Sequence, residues 1–93
     1  MPTSEKIKSE WFVYIILCSD TSLYTGISTD IKRRFDEHHS QKGAKYFRAR
    51  SPKKIVFSEG GHTRSTASQR EAAIKKLNRP EKLALINAYN KVL

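Results

Sequence analysis

Two tyrosines, one arginine and one histidine follow one another in the first half of this chain. Tyr14 and Tyr24 lie in two apolar runs, and Arg34 and His38 lie in the more polar segment that follows. A phenol can exchange a proton with water, a guanidinium can bond two phosphate oxygens, and an imidazole titrates near neutral pH. On a strongly basic chain, these residue types are suited to attacking or binding a phosphodiester.

Size and charge narrow the function classes. The 93 residues are 38% hydrophobic, enough for one modest core, so the sequence predicts a flexible tail over residues 1–10 and a single domain over 11–93. The formal net charge is +9, which favours a polyanionic partner and nucleic acid above all. The alternative is a basic surface that serves only solubility.

Nothing in the sequence suggests a membrane or a secreted protein. The single cysteine, Cys18, lies in an apolar run, which favours a small buried side chain in a reducing compartment. No stretch approaches the roughly 20 apolar residues of a membrane span, and residues 1–10 lack the apolar centre of a secretory signal. We therefore expect a cytoplasmic protein with no membrane partner.

Three predicted strands have to position these side chains. Trp11–Cys18 is apolar almost throughout, as expected of a strand that is covered on both faces. Leu23–Ile27 follows after a short turn, so the two strands should form an antiparallel hairpin. Ile55–Ser58 reads as a third strand, which Gly60-Gly61 should end before a flexible loop through His62 and Arg64.

Three helices complete the predicted fold. Candidate caps at 28–30 start the first helix, which should end over 39–43. Arg34 and His38 should lie at the border of its apolar stripe. The spacing of Thr66 and Gln69 suggests a capping box for the second helix. Pro80 restarts a last helix, and its inward positions are predicted to be Leu83, Ile86 and Tyr89.

The segment between the first helix and the third strand is basic and aromatic. Cations there can meet phosphates and rings can stack on bases, which suits the segment to nucleic acid. The alternative is an exposed loop whose aromatic side chains turn inward to the core. The candidate nucleic-acid contacts are Lys42, Lys45, Tyr46, Arg48 and Arg50, with Phe47 beside them.

A carboxylate on the second helix is a further candidate. Glu71 lies three residues before Ile74, at the edge of a buried helical face, from which it could reach a shared cleft. The alternative is an ordinary surface glutamate paired with Lys75 one turn on. For Tyr14 and Tyr24 the corresponding alternative is core packing with the hydroxyl at the surface.

Taken together, these residues resemble the GIY-YIG nuclease superfamily from Trp11 to about Ile86. Phe12-Val13-Tyr14 corresponds to the first motif and Tyr24-Thr25-Gly26 to the second. The segments 43–50 and 79–82 look most like the small stand-alone bacterial branch. The resemblance implies an α+β fold, in which helices pack around a three-stranded antiparallel sheet.

The resemblance also implies roles for single residues. The family's essential arginine corresponds to Arg34, a histidine or tyrosine one turn later becomes His38, and the metal-binding glutamate corresponds to Glu71. Tyr14 is assigned as the base that takes a proton from water, and Tyr24 as its partner. Glu71 would hold one Mg²⁺ or Mn²⁺, which could be absent without DNA because a lone carboxylate binds such ions weakly.

This chain departs from the family pattern at three places. The first motif lacks its glycine. Some members carry a lysine shortly after the second motif that lowers a tyrosine pKa, where this chain has Ile27 and Ser28. A late asparagine of several nucleases corresponds to one of Asn78, Asn87 and Asn90.

The predicted function is that of a metal-dependent endonuclease. Its substrate would be DNA in preference to RNA, in branched, damaged or single-stranded form, as in repair or recombination. The first alternative is a non-catalytic nucleic-acid-binding module with the same fold. The lack of a separate targeting domain leaves room for a protein partner. A helical interaction domain built on the last two helices has the least support.

Overall fold

The protein folds around one small antiparallel sheet. The structure, a computed structural model, describes residues 10–40, 47 and 50–92. The strands lie in the order β2-β1-β3, and each pairs antiparallel with β1. The predicted α+β fold with a three-stranded sheet is confirmed. The elements are β1 (Trp11–Cys18), β2 (Leu23–Ser28), α1 (Ile31–His39), β3 (Pro52–His62), α2 (Arg64–Lys75) and α3 (Arg79–Val92).

The central strand β1 is covered on both faces, as its continuous apolar sequence predicted. Alternate side chains of a strand point to opposite faces, so β1 contributes to two separate clusters. Val13 and Ile15 pack with residues of β3, α2 and α3, including Phe57. Tyr14 and Ile16 pack on the other face with Cys18 and Phe47. The central strand β1 therefore connects the two clusters.

The β1–β2 hairpin brings the two tyrosines to one face. Asp20 closes the turn, because its Oδ1 accepts a hydrogen bond from Ser22 N at 3.1 Å. The resulting register sets Tyr14 opposite Gly26 and Ile16 opposite Tyr24. Directly opposed residues share a face, so both phenols lie on the same side of the sheet.

The third strand is longer than the sequence predicted. It runs through Gly60 and Gly61 to His62. Trp11 pairs with His62 but Val13 pairs with Glu59, so β3 carries one extra residue there, a β-bulge. Gly61 has the positive φ of 76° that such an irregularity favours in glycine. The glycine pair therefore bends the strand rather than ending it.

The start of α2 was also predicted wrongly. Thr63 is the N-cap, and its Oγ1 accepts from Thr66 N at 3.1 Å, while Thr66 Oγ1 accepts from Thr63 N at 3.0 Å. The capping box is therefore Thr63 with Thr66 rather than Thr66 with Gln69. Because β3 continues to His62, the helix follows at once, and Arg64 is its first residue instead of part of a loop.

The last helix begins after a capping box formed by Asn78 and Glu81. Ile86 is buried and Tyr89 is half-buried against the core, as predicted, but Leu83 is 40% exposed and does not face inward. In the part of the chain that the structure describes, no helix combines the length and apolar character needed to cross a bilayer.

Gly26 is the point where the hairpin controls the position of Tyr14. A Cβ at Gly26 would lie 2.6 Å from Tyr14 Oη and 2.7 Å from Tyr14 Cζ. The aromatic ring thus covers the glycine backbone directly. Only a residue without a side chain lets β2 pass this close beneath the ring.

We therefore expect Gly26→Ala to lower the free energy of unfolding by about 1–3 kcal/mol through overpacking. The measurement is denaturant unfolding of Gly26→Ala in the wild type and in a Tyr14→Leu background, whose shorter side chain lacks Oη and Cζ. The loss should be much smaller in the second background. Equal losses in both backgrounds would contradict the contact.

Candidate active site

The two phenols form the centre of the candidate site. Tyr14 is 1% exposed, whereas Tyr24 on the edge strand β2 is half-buried. Their ring centroids lie 6.4 Å apart. Both tyrosines also contribute to the core, as the alternative of core packing for these two residues predicted. The difference in exposure leaves Tyr24 as the phenol nearer to solvent.

His38 lies inside the site rather than at the border of the apolar stripe. It is fully buried, and its Nε2 is 3.2 Å from Tyr14 Oη. The Tyr24 ring packs edge-on against the imidazole at 5.2 Å, and the Phe47 ring lies 4.3 Å away. Helical periodicity alone missed this burial because Phe47 comes from a segment outside the helix.

The charge state of His38 follows from its surroundings. Burial, followed by the positive charge of Arg34, lowers the His38 pKa to about 4, and the nearby Glu37 only partly opposes this. The imidazole is therefore neutral at physiological pH. A neutral imidazole has one nitrogen that accepts and one that donates, so it can hold the Tyr14 hydroxyl in either direction.

Both phenols are held in the protonated form in the free protein. Burial is the main cause that raises the Tyr14 pKa, and Tyr24 and Glu71 raise it further, while the charge and hydrogen bond of Arg34 lower it. Burial also raises the Tyr24 pKa, against which Lys75 and Arg34 act. The less buried phenol, Tyr24, thus has two cations that favour its ionised form.

Arg34 links the phenols to the open surface. Asp30 caps α1 by accepting from Arg33 N at 3.1 Å, which starts the helix so that Arg34 faces the sheet. Arg34 Nη1 donates to Glu37 Oε1 at 2.8 Å, and its side chain is 36% exposed. The guanidinium is thus held by one carboxylate and still reaches solvent. Its hydrogen bond to Glu37 raises the Arg34 pKa further.

Glu71 approaches the phenols from α2. Its carboxylate Oε2 lies 3.2 Å from Lys75 Nζ, so the helix-surface pair considered from the sequence does form. However, the Glu71 side chain is only 23% exposed, and its charge acts on both Tyr14 and Tyr24. Glu71 is therefore part of the same cluster and not a remote surface residue.

The residues present suit at most a weak site for a hard cation. Among the described residues, no group of three or more His, Cys, Asp or Glu side chains could hold a metal ion. Glu71 offers oxygen ligands at the edge of the phenol cluster. Mg²⁺ and Mn²⁺ accept a few protein oxygens and complete their shells with water and phosphate, so this donor set fits such an ion.

The basic segment is described only in part. Lys42, Lys45, Tyr46 and Arg48 lie outside the described residues. Arg50 Nε donates to Asp20 Oδ2 at 2.7 Å, at the β1–β2 turn. Phe47 is fully buried in the cluster around Tyr14, so it turns inward and does not offer its ring to bases.

The effect of Lys75 on Tyr24 was not predicted. The sequence offered Lys75 only as the partner of Glu71, one turn earlier on α2; that pair forms, and the Lys75 charge also favours ionisation of Tyr24. Of the three candidate asparagines, Asn78 caps α3, and Asn87 and Asn90 are exposed on that helix.

Comparison with known proteins agrees with this fold. Residues 10–89 match the family described as the GIY-YIG catalytic domain. The chain therefore belongs to the GIY-YIG family, a family of nuclease domains whose nucleases generally use divalent metals. The domain also indicates nucleic-acid binding.

Small bacterial proteins are similar over most of their length. The UPF0213 protein DP2720 of Desulfotalea psychrophila is 49% identical over 88 residues, covering 94% of this chain and 80% of that protein. A solution NMR structure of EF2693 from E. faecalis has a TM-score of 0.60 at 35% identity, covering 97% of this chain and 92% of that one. The structure of the UPF0213 protein BH0048 from Bacillus halodurans has a TM-score of 0.55 at 39% identity, covering 85% and 84%.

We expect the burial of His38 to make folding stability depend on pH. The unfolded chain binds a proton on this imidazole below about pH 6.5, whereas the folded chain does so only near pH 4. Stability should therefore fall as the pH drops from about 6.5 to about 4, by an amount on the order of 2 kcal/mol from this residue.

The check is denaturant unfolding at several pH values for His38→Gln and for His39→Gln, the exposed neighbour. The pH dependence should flatten only in His38→Gln. An NMR titration of the wild type should also find the His38 imidazole neutral at pH 5.5. An equal effect of both variants, or a protonated His38 at that pH, would contradict the assignment.

Proposed function

We propose that this protein is a divalent-metal-dependent endonuclease that hydrolyses DNA phosphodiesters. One observation carries the proposal. The opposite charges of Arg34 and Glu71, from two different helices, both act on the phenols of Tyr14 and Tyr24. Hydrolysis needs a proton acceptor, a cation for the phosphate and a ligand for a metal, and these side chains supply all three within one small region.

Arg34 is proposed as the phosphate clamp. Its guanidinium is planar and permanently charged, so it can bond two phosphate oxygens and neutralise the charge that grows on them. The hydrogen bond from Nη1 to Glu37 fixes one side of the guanidinium group, while the Arg34 side chain stays 36% exposed and open to an incoming substrate. A lysine at this position would lack the second donor group.

Tyr24 is proposed as the proton acceptor, in place of the initial assignment to Tyr14. Tyr24 is nearer to solvent, and Lys75 and Arg34 both favour its ionised form. Tyr24 would first release its own proton to solvent, a step that the nearby cations favour. The phenolate Oη would then take the water proton while the water oxygen bonds to phosphorus and the bond from phosphorus to the leaving oxygen breaks. Tyr14, buried and 3.2 Å from His38 Nε2, is proposed to hold the geometry of the cluster.

Lys75 is proposed to replace the lysine that some family members carry after the second motif. This chain has Ile27 and Ser28 there, and the cation beside Tyr24 comes instead from α2. Lys75 Nζ also lies 3.2 Å from the Glu71 carboxylate in the free protein. A divalent ion has to compete with this ammonium group, so metal binding should be weak until a substrate phosphate joins the site.

Glu71 is the residue proposed to hold the metal. Mg²⁺ or Mn²⁺, when bound, would neutralise phosphate charge and stabilise the leaving oxygen. Glu71 is suited to this task because it is the carboxylate whose charge reaches both phenols while part of its surface stays open. A small basic domain has little area for reading a long sequence, which favours recognition of DNA shape, as in single-stranded or branched forms.

The second candidate function is a nucleic-acid-binding module without useful turnover. It is favoured by the two phenols, whose pKa values are raised in the free protein, and by the Lys75 ammonium paired with Glu71. On this alternative, the basic surface would bind DNA and a protein partner would supply any further activity or targeting.

A cleavage assay separates the two candidates. The purified protein should cut at least one member of a panel of single-stranded, duplex, flapped and branched DNA with Mg²⁺ or Mn²⁺, and none with a chelator. Glu71→Gln should abolish cutting while DNA affinity stays within about twofold, because the carboxylate serves the metal and not the binding.

Asp36→Asn is the matched control, since it removes the same charge from an exposed position on α1. It should cut like the wild type. Salt-sensitive binding without cutting on any substrate would replace the nuclease with the binding module. Equal loss of binding and cutting in Glu71→Gln would make Glu71 a structural residue.

A further inference from the structure

A second polar feature opens next to the candidate active site. A groove of about 340 Å³ lies between the end of β2, the helix α1 and the first residues of β1 and α2. We call it the arginine groove. Its charged and aromatic lining consists of Trp11, Arg33, Arg34, Glu37 and Arg64. Arg34 belongs both to this groove and to the phenol cluster, so the two are continuous.

Positive charge is in excess in the arginine groove. Three guanidinium groups line it, against the single carboxylate of Glu37. Arg33 and Arg34 share that carboxylate, at 3.1 Å on Oε2 and 2.8 Å on Oε1, and Arg33 Nε also lies 3.8 Å from Asp30 Oδ2. Arg64 forms no ion pair with any residue that the structure describes, and lies instead 5.6 Å above the Trp11 ring. The unbalanced charge favours an anionic ligand.

The contact with Trp11 positions Arg64 without neutralising it. Trp11 is half-buried and packs against the core, so its indole is a fixed platform. A cation stacked on an aromatic face is held in place but keeps its charge and its outward N–H donors. Arg64 is also the first residue of α2, where a positive charge opposes the helix dipole. Helix stability therefore does not explain a cation at this position.

We propose that the arginine groove binds the phosphodiester next to the one at the active site, on the same nucleic-acid strand. Guanidinium forks match phosphate oxygens, and a groove of about 340 Å³, near the lower end of the range for ligand sites, is large enough for a phosphate group. The inference rests on the proposed function in one respect, that the ligand is a nucleic acid. Arg34 would lie between the two phosphates, with the strand passing from Tyr24 towards Arg64.

This path implies recognition of the strand backbone. The groove residues Arg33, Arg34 and Arg64 are all donors for phosphate oxygens, and contacts of this kind fix the strand without reading its sequence. The groove thus adds a nucleic-acid contact to the basic segment between α1 and β3. Because its residues come from β1, α1 and α2, no linear motif identifies it.

Trp11 provides a direct readout, since it is the only tryptophan of the chain. A single-stranded oligonucleotide with a fluorescent label is titrated into the full chain in the presence of a chelator, so that no cutting occurs. Label anisotropy measures total binding, and Trp11 fluorescence measures occupation of the groove. Both signals should saturate at the same oligonucleotide concentration.

The salt dependence of binding is then compared between two double variants of equal charge. Arg33→Gln with Arg64→Gln should lower the slope of log K against log salt by about 0.7–1.4, the release expected from one or two phosphate contacts to a single strand. Arg79→Gln with Lys91→Gln, both exposed on α3, should leave the slope unchanged. Circular dichroism confirms that both variants fold.

The outcomes separate this inference from the proposed function. Binding with an unchanged Trp11 signal and equal slopes in both double variants would overturn the groove assignment alone. A Trp11 response to inorganic phosphate but not to the oligonucleotide would also overturn it, because the groove would then be an anion site off the strand path. Absence of any oligonucleotide binding would overturn the proposed function together with the groove.

Discussion

The close contact of Tyr14 with Gly26 across the β1–β2 hairpin is the constraint on which the site depends. A Cβ at Gly26 would fall 2.6 Å from Tyr14 Oη, so the ring lies directly on the backbone of the neighbouring strand. This contact requires the observed register, which also brings Tyr24 to the same face. His38 then packs on both rings from α1. One pairing of strands thus determines the position of both phenols and of the buried imidazole.

Around this apolar centre, the charges of Arg34 and Glu71 have opposite effects on the pKa values of the two phenols. Burial keeps both phenols and His38 neutral. Arg34 from α1 favours the phenolate form of each tyrosine and Glu71 from α2 opposes it. A bound ligand can therefore change the ionisation of the phenols. A cation that neutralises Glu71 removes the negative charge that raises both tyrosine pKa values. Charged side chains close to buried titratable groups are typical of functional sites rather than of packing alone.

The sequence predicted the features that depend on local pattern and failed where distant segments meet. The apolar run of β1 predicted a strand covered on both faces, and the resemblance of the motifs to the GIY-YIG family implied the α+β fold; both are confirmed. Gly60-Gly61 is compatible with either a strand end or a bulge, and only pairing with β1 decides between them. The burial of His38 depends on Phe47, and the arginine groove depends on Trp11 meeting Arg64. These are contacts between segments far apart in sequence, which periodicity does not encode.

The most direct test of this account compares the single-turnover DNA cleavage rates of Tyr24→Phe and Tyr14→Phe under the conditions that support cutting by the wild type. Loss of the proton acceptor should slow the reaction about 100-fold or more in Tyr24→Phe, whereas Tyr14→Phe should lose less than about tenfold once its stability is matched. The reverse order, or full activity of Tyr24→Phe, would contradict the proposal that Tyr24 accepts the water proton.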